Sequence, residues 1–209
     1  TVYGVNSLQG GFMSNMLWES ENNRVNFGIN SNIYSRKHFG SDFGGFYFPV
    51  TDTTYSRYQN RGFKEDLILY LKFNHKVDDL NFFVDLQGRY VHFNLQNYNP
   101  QFNWIFFNPK LGVKWLTEKN QVYLTFAFTS REPTRSDLLQ NIVPFGANPD
   151  NALRFSINKT LKPERVFDLE FGYGRRTSHF EFNLNGYLMN IRNEYVSNGL
   201  IDPGSGFMI

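Results

Sequence analysis

"RVNFGINSNIYSRKHFG", residues Arg24 to Gly40, decides the fold of this chain. Val25, Phe27, Ile29 and Ile33 alternate with Asn26, Asn30 and Asn32. Alternation with period two marks a β-strand with one apolar and one polar face. The pattern lasts about a dozen residues, whereas strands of water-soluble domains usually stop after roughly 5–6. So long a strand with two such different faces calls for a different medium on each side.

The pattern repeats in both directions from that stretch. Leu8 to Trp18 shows it most weakly, and the polar turn "ESENN" (Glu19 to Asn23) joins it to the opening strand. Gly62–Lys76 sets Leu67, Leu69, Leu71 and Phe73 against Asp66, Tyr70, Lys72 and Asn74. Asn81–Asn94 sets Phe82, Val84, Leu86 and Tyr90 against Asp85, Gln87 and Arg89. Trp104–Thr117, Gln121–Arg131, Glu164–Arg176 and His179–Arg192 continue in the same way. Pro109 interrupts the first of these and requires a bulge or an unpaired position there. "PTRSDLLQ" (Pro133 to Gln140) reads as a helical turn. Tight turns alternate with longer connections, the loop-length pattern of a membrane-spanning β-meander.

Composition narrows the function classes. The 209 residues carry a net charge of +2, which provides no field for nucleic acid. The 23 Phe and 12 Tyr favour strands. Absence of cysteine excludes a disulfide scaffold and thiolate metal sites. No apolar run approaches the ~18 residues of a spanning helix. Thr1 already lies in strand-like sequence and no signal peptide precedes it, so the chain is expected to be an internal piece of a larger protein.

Strand length indicates which face is wet. A strand tilted by about 45° crosses the hydrocarbon in roughly 9–11 residues, and the expected strands run about 11–15. Charged residues make up 19% of the chain, yet the apolar rows hold none. A charge facing lipid at mid-depth would cost about 2–4 kcal/mol. A dry sandwich core would not accept Asp85, Arg89, Asp168 and Glu170 without dense pairing. The apolar rows are therefore expected to meet lipid and the Asn-bearing rows an aqueous interior. Trp18 and Trp115 beside short turns, and Trp104 beside a longer loop, are expected to form membrane girdles. The rim of a soluble sandwich is the alternative. The expected fold is an all-β, antiparallel up-and-down barrel wall of about eight strands. Eight strands also close a small barrel on their own, which is a structural rival.

Two loops are candidate ligand sites. The first, Lys37 to Arg61, carries Tyr47, Tyr55, Arg57, Tyr58 and Arg61, with Lys37 and His38 beside them. Aromatics among cations grip sugars or anionic chelates by stacking and charge-assisted hydrogen bonds; packing of the rings on one another is the plainer reading. The second loop carries Arg135 and Arg154, with Arg131 at its base on the polar face. Arg131 and Arg135 face an anionic substrate or pair with Glu132 and Asp137 to hold the loop. His38, His75, His92 and His179 lack metal-ligand spacing. No phosphate loop precedes a helix and no triad assembles, so neither a cofactor nor catalytic residues are expected.

"NPKLGVKW" (Asn108 to Trp115), "YLTFAFTSREPTRSDLL" (Tyr123 to Leu139), "LKPERVFDLEFGYGRR" (Leu161 to Arg176) and "FEFNLNGYLMNIRNEYV" (Phe180 to Val196) resemble the barrel region of TonB-dependent outer-membrane receptors, especially those of Bacteroidetes-like bacteria. The resemblance is specific over residues 108–196 and architectural before them. It implies a bacterial outer-membrane barrel of twenty-two strands, a plug domain, an energy-coupling complex, lipid contact and, in some members, a surface lipoprotein. It implies uptake of a scarce nutrient: a metal chelate, cobalamin or a glycan. No segment here resembles the plug, the energy-coupling box or the closing strand, so residues 1–209 are expected to be barrel wall alone. A soluble carbohydrate-binding module and a passive porin are the competing readings.

Overall fold

The computed structural model describes residues 2–42, 55–96, 101–141 and 155–195. Long strands dominate it: β1 (Val2–Glu19), β2 (Asn23–Asp42), β3 (Tyr55–Val77), β4 (Leu80–Leu95), β5 (Gln101–Leu116) and β6 (Asn120–Arg131). A short helix, α1 (Arg135–Leu138), and two three-residue strands, β7 (Leu139–Asn141) and β8 (Phe155–Ile157), follow. β9 (Glu164–Arg176) and β10 (Glu181–Arg192) complete the order. Eight strands form one sheet in the order β1-β2-β3-β4-β5-β6-β9-β10, and β7 pairs with β8 separately. Every neighbouring pair is antiparallel. Within the described residues β1 and β10 are the two edges, so these eight strands do not close on themselves as a small barrel of that strand number would.

The register shows why the sheet has two characters. One row crosses all eight strands through Trp18, Val25, Phe73, Val84, Leu111, Phe126, Leu169 and Leu188, apolar throughout. The adjacent row, on the other face, runs Leu17, Asn26, Lys72, Asp85, Lys110, Ala127, Asp168 and Met189. The two rows differ by one residue along each strand, the shift that moves a side chain to the opposite face. No second sheet covers the apolar rows among the described residues: Ile105 is 84% exposed and Leu188 62%. They do not meet each other in a sealed sandwich core. From Ile105 to Trp115, at about 3.4 Å per residue and a tilt of about 40°, the apolar row stands roughly 26 Å tall, close to the ~25 Å band of a spanning barrel.

The tight turns lie at one end. Asp78 takes a φ of 50° in the connection between β3 and β4, a left-handed conformation that Asp tolerates better than most residues. Thr117 N donates to Asn120 O at 2.8 Å and closes the turn between β5 and β6. At the other end the strands outrun the sequence expectation. β2 extends to Asp42 and β3 begins at Tyr55, with a bulge where Gly40 faces Tyr58 and Ser41 faces Ser56, leaving Arg57 unopposed. The segment expected as one loop from Lys37 to Arg61 is therefore partly a continued hairpin.

Pro109 marks a second irregularity. β5 pairs with β4 along nearly its whole length, but its pairing with β6 runs only from Lys110 to Leu116. Pro109 has no N–H to extend the ladder. The Ser130 amide donates instead to Asn108 Oδ1 at 2.8 Å. Above this point β6 keeps its pairing with β9 alone.

Candidate functional site

Continuing by twos from Asn30 and Asn32 along β2 reaches Tyr34, Arg36 and His38, all on the polar face at the long-connection end. Lys64 on β3 and Arg89 on β4 arrive on the same face, since Tyr34 lies opposite Lys64 and Arg89 opposite Ile68. With Arg131, Glu132 and Arg135 these side chains line a cleft of about 600 Å³.

Arg89 is the hub. Its guanidinium donates from Nε to Asp66 Oδ1 at 2.9 Å and from Nη1 to Glu132 Oε2 at 2.8 Å, with a further Nη2 bond to Asp66. Phe106 lies 6.0 Å beneath it. Lys64 Nζ donates to Glu132 Oε1 at 2.5 Å. Two strands and the start of the β6–β9 connection are thereby tied across the polar face. Burial works against ionisation of Glu132, but the Lys64 hydrogen bond, a bond from its own backbone amide and the charges of Arg89 and Lys64 outweigh it. Its carboxyl is held below the usual carboxylate range.

Beyond Glu132 the chain folds back onto the polar face. Thr134 caps α1: its amide and hydroxyl donate to Asp137 Oδ2 at 2.7 and 2.6 Å. Leu138, 1% exposed, then enters a cluster with Phe93 and Leu95, against which Phe102, Trp104 and Leu161 pack. One end of the connection is thus held by ions and the other by apolar contact.

The ion partners differ from the sequence expectation. Arg131 pairs with Glu164, at 2.8 Å from Nε to Oε1, and not with Glu132. Asp137, inside α1, accepts from the cap residue Thr134. Arg131 and Arg135 both line the cleft. Arg61 does not reach it: it lies opposite Lys37, on the face of Phe63, Leu67 and Leu69. Tyr55, Arg57 and Tyr58 belong to the first residues of β3, and Tyr47 and Arg154 lie outside the described residues. Trp18 and Trp115 sit on the apolar face beside tight turns. Trp104 corrects the expected girdle. It lies opposite the fully buried Val91, on the polar face, and stacks on Phe102 at 5.4 Å beneath the folded-back connection. The reading from the residues did not single out Arg36, Lys64 or Arg89 as site residues, although counting by twos along each strand places them. Among the described residues no group of His, Asp and Glu forms a metal-ligand set.

A single sheet of 12- to 23-residue strands with an uncovered apolar face and a charged opposite face is the wall of a membrane-spanning β-barrel. The family model "TonB dependent receptor-like, beta-barrel" matches residues 2–207, and the chain belongs to that family, whose members reside in the bacterial outer membrane. Solved structures share the fold at low identity. The copper transporter OprC superposes with a TM-score of 0.71 at 12% identity, covering 90% of this chain and 30% of that one. The FrpB iron transporter from Neisseria meningitidis, in its apoprotein form, gives 0.60 at 17%, covering 90% and 29%. The ferric-catecholate import receptor Fiu from E. coli K12 gives 0.57 at 14%, covering 90% and 31%. This chain thus spans under a third of each. No curated protein matches it in sequence.

Proposed function

We propose that residues 1–209 form part of the wall and external rim of a receptor that takes up an anionic nutrient chelate. The whole barrel has twenty-two strands and is closed by a plug domain driven through the TonB energy-coupling complex. The wall itself carries no catalysis; its role is to hold lipid outside and to present a charged mouth inside. Trp18 and Trp115 serve as the girdle at the tight-turn end. The observation that carries the choice of cargo is the cleft. Arg36, Lys64, Arg89, Arg131 and Arg135 converge there around Glu132, with Asp66 and Glu164 taken up in ion pairs. Arg36 has no carboxylate partner among the described residues. Arginine and lysine side chains gathered around one mouth favour a ligand with several acidic oxygens over a neutral glycan.

Uptake by the whole receptor tests this. Arg36→Gln with Arg135→Gln should weaken binding of anionic ferric chelates by roughly tenfold or more, while oligosaccharide binding stays unchanged. Equal binding of the chelates by wild type and variant would remove the assignment. Uptake that continues after energy coupling is abolished would favour a passive pore.

A further inference from the structure

Beyond its apolar band, at the long-connection end, the outward face carries Glu65, opposite Ile33 and His92, and two pairs of like charge. Arg165 lies directly opposite Arg192 on β9 and β10. Lys37 lies directly opposite Arg61 on β2 and β3 at the corresponding end. Like charges placed opposite one another on a sheet repel. Among the described residues no carboxylate forms an ion pair with any of the four, and Arg192 Nε reaches only the amide oxygen of Asn190, at 3.3 Å. The Arg165–Arg192 pair also frames a pocket of about 370 Å³, whose other walls are Phe128, Phe167 and Asn190. Below it Phe126 packs edge-on against Phe167, with centroids 5.0 Å apart, and Leu169 faces Leu188 on the apolar band. Arg165 and Arg192 thus stand at the long-connection ends of β9 and β10, two residues beyond Phe167 and Asn190 on the same face.

We propose that this pocket binds the phosphate group of an outer-leaflet membrane lipid, held between Arg165 and Arg192, with an acyl chain lying over Phe128 and Phe167. A phosphate accepts from both guanidinium groups at once and removes the repulsion between them. The two rings supply what a free anion has no use for and a lipid chain does. Lys37 and Arg61, with Lys37 Nζ 5.9 Å from the Phe39 ring, form a second cationic pair on the same face. The inference requires the apolar rows to face lipid and is independent of what crosses the lumen.

The test uses the whole receptor in nanodiscs of phosphatidylcholine doped with lipid A, beside discs with its enzymatically dephosphorylated form. Native mass spectrometry of the released complexes reads the bound lipid. Wild type should retain the phosphorylated lipid at least tenfold better than Arg165→Gln/Arg192→Gln, and should show no such preference for the dephosphorylated form. Single Arg165→Gln and Arg192→Gln receptors should each lose several-fold, which keeps the test decisive should the double variant fail to assemble. Variants that bind as wild type does would overturn the proposal, as would equal retention of both lipids. Displacement of the lipid by millimolar inorganic phosphate would overturn it in favour of a soluble-anion site.

Discussion

Within the apolar band the glycines separate the two faces of this sheet; beyond it Gly4 also points outward, yet lies under the Phe39 ring. Gly10, Gly88 and Gly186 point outward, and a methyl group added to any of them would meet nothing within 4 Å. Gly28, Gly112 and Gly172 point inward, and each lies under an aromatic ring: Tyr70, Phe83 and Tyr123 respectively. In all three cases the ring belongs to the residue directly opposite on the neighbouring strand. The Tyr123 hydroxyl goes on to donate to Asn185 Oδ1 at 3.1 Å, reaching across β9 to β10. A gap on the outer face is left open by the protein. A gap on the inner face has to be filled by the protein, and a flat ring over a bare backbone does this while keeping the strands in register.

That contrast breaks in different ways on the two sides. The largest expected effect is on the outer face: Leu69→Arg, within the apolar band, should destabilise the barrel by about 2–4 kcal/mol. Gln87→Lys on the inner face should change stability by about 1 kcal/mol or less. Urea titration of the whole barrel in lipid vesicles, followed by tryptophan fluorescence, measures both, and similar values for the two would contradict the assignment of faces. The glycines come next. Gly172→Ala has to displace the Tyr123 ring and should cost about 1–3 kcal/mol, whereas Gly88→Ala should stay within about 0.5 kcal/mol. The same titration reads the pair, and a tolerant Gly172 would show that the ring is not a structural cover.

The smallest effect is electrostatic and confined to the inner face. Because the Glu132 carboxyl is held below its ordinary range, the folded state binds its proton less readily than the unfolded chain. Its contribution is present above the unfolded value and is lost as pH falls from the ordinary carboxylate range through the depressed folded one. Glu132→Gln should flatten this acid limb of a stability–pH profile. An unchanged limb would mean that another carboxylate is responsible.

The strands and their faces were legible because period two survives wherever one face is apolar and the other polar. It fades beyond the apolar band, where both sides are wet, and there the reading failed. Lys37–Asp42 and Tyr55–Arg61 looked like loop although they continue β2 and β3. Trp104 was placed by its nearness to a strand end. Its parity with Phe106, Asn108 and Lys110, counted residue by residue, already assigns it to the inner face. The ion pairs were the least accessible: Arg89 and Glu132 stand 43 residues apart. Nothing local favours Glu132 for Arg89 and Glu164 for Arg131 over the reverse. The sheet decides it, because β6 carries Arg131 directly against Glu164 on β9.

Asn108 and Pro109 give the wall a built-in seam. The amide–carbonyl ladder between β5 and β6 stops part-way, and one carboxamide closes its last rung. From Phe128 to Arg131 β6 keeps its ladder to β9 while its ladder to β5 has ended, and only the Asn108 carboxamide still ties it there. Strain arriving at the mouth is therefore shared unequally between its two neighbours, and α1 can be carried over the interior without tearing the fence of strands below it.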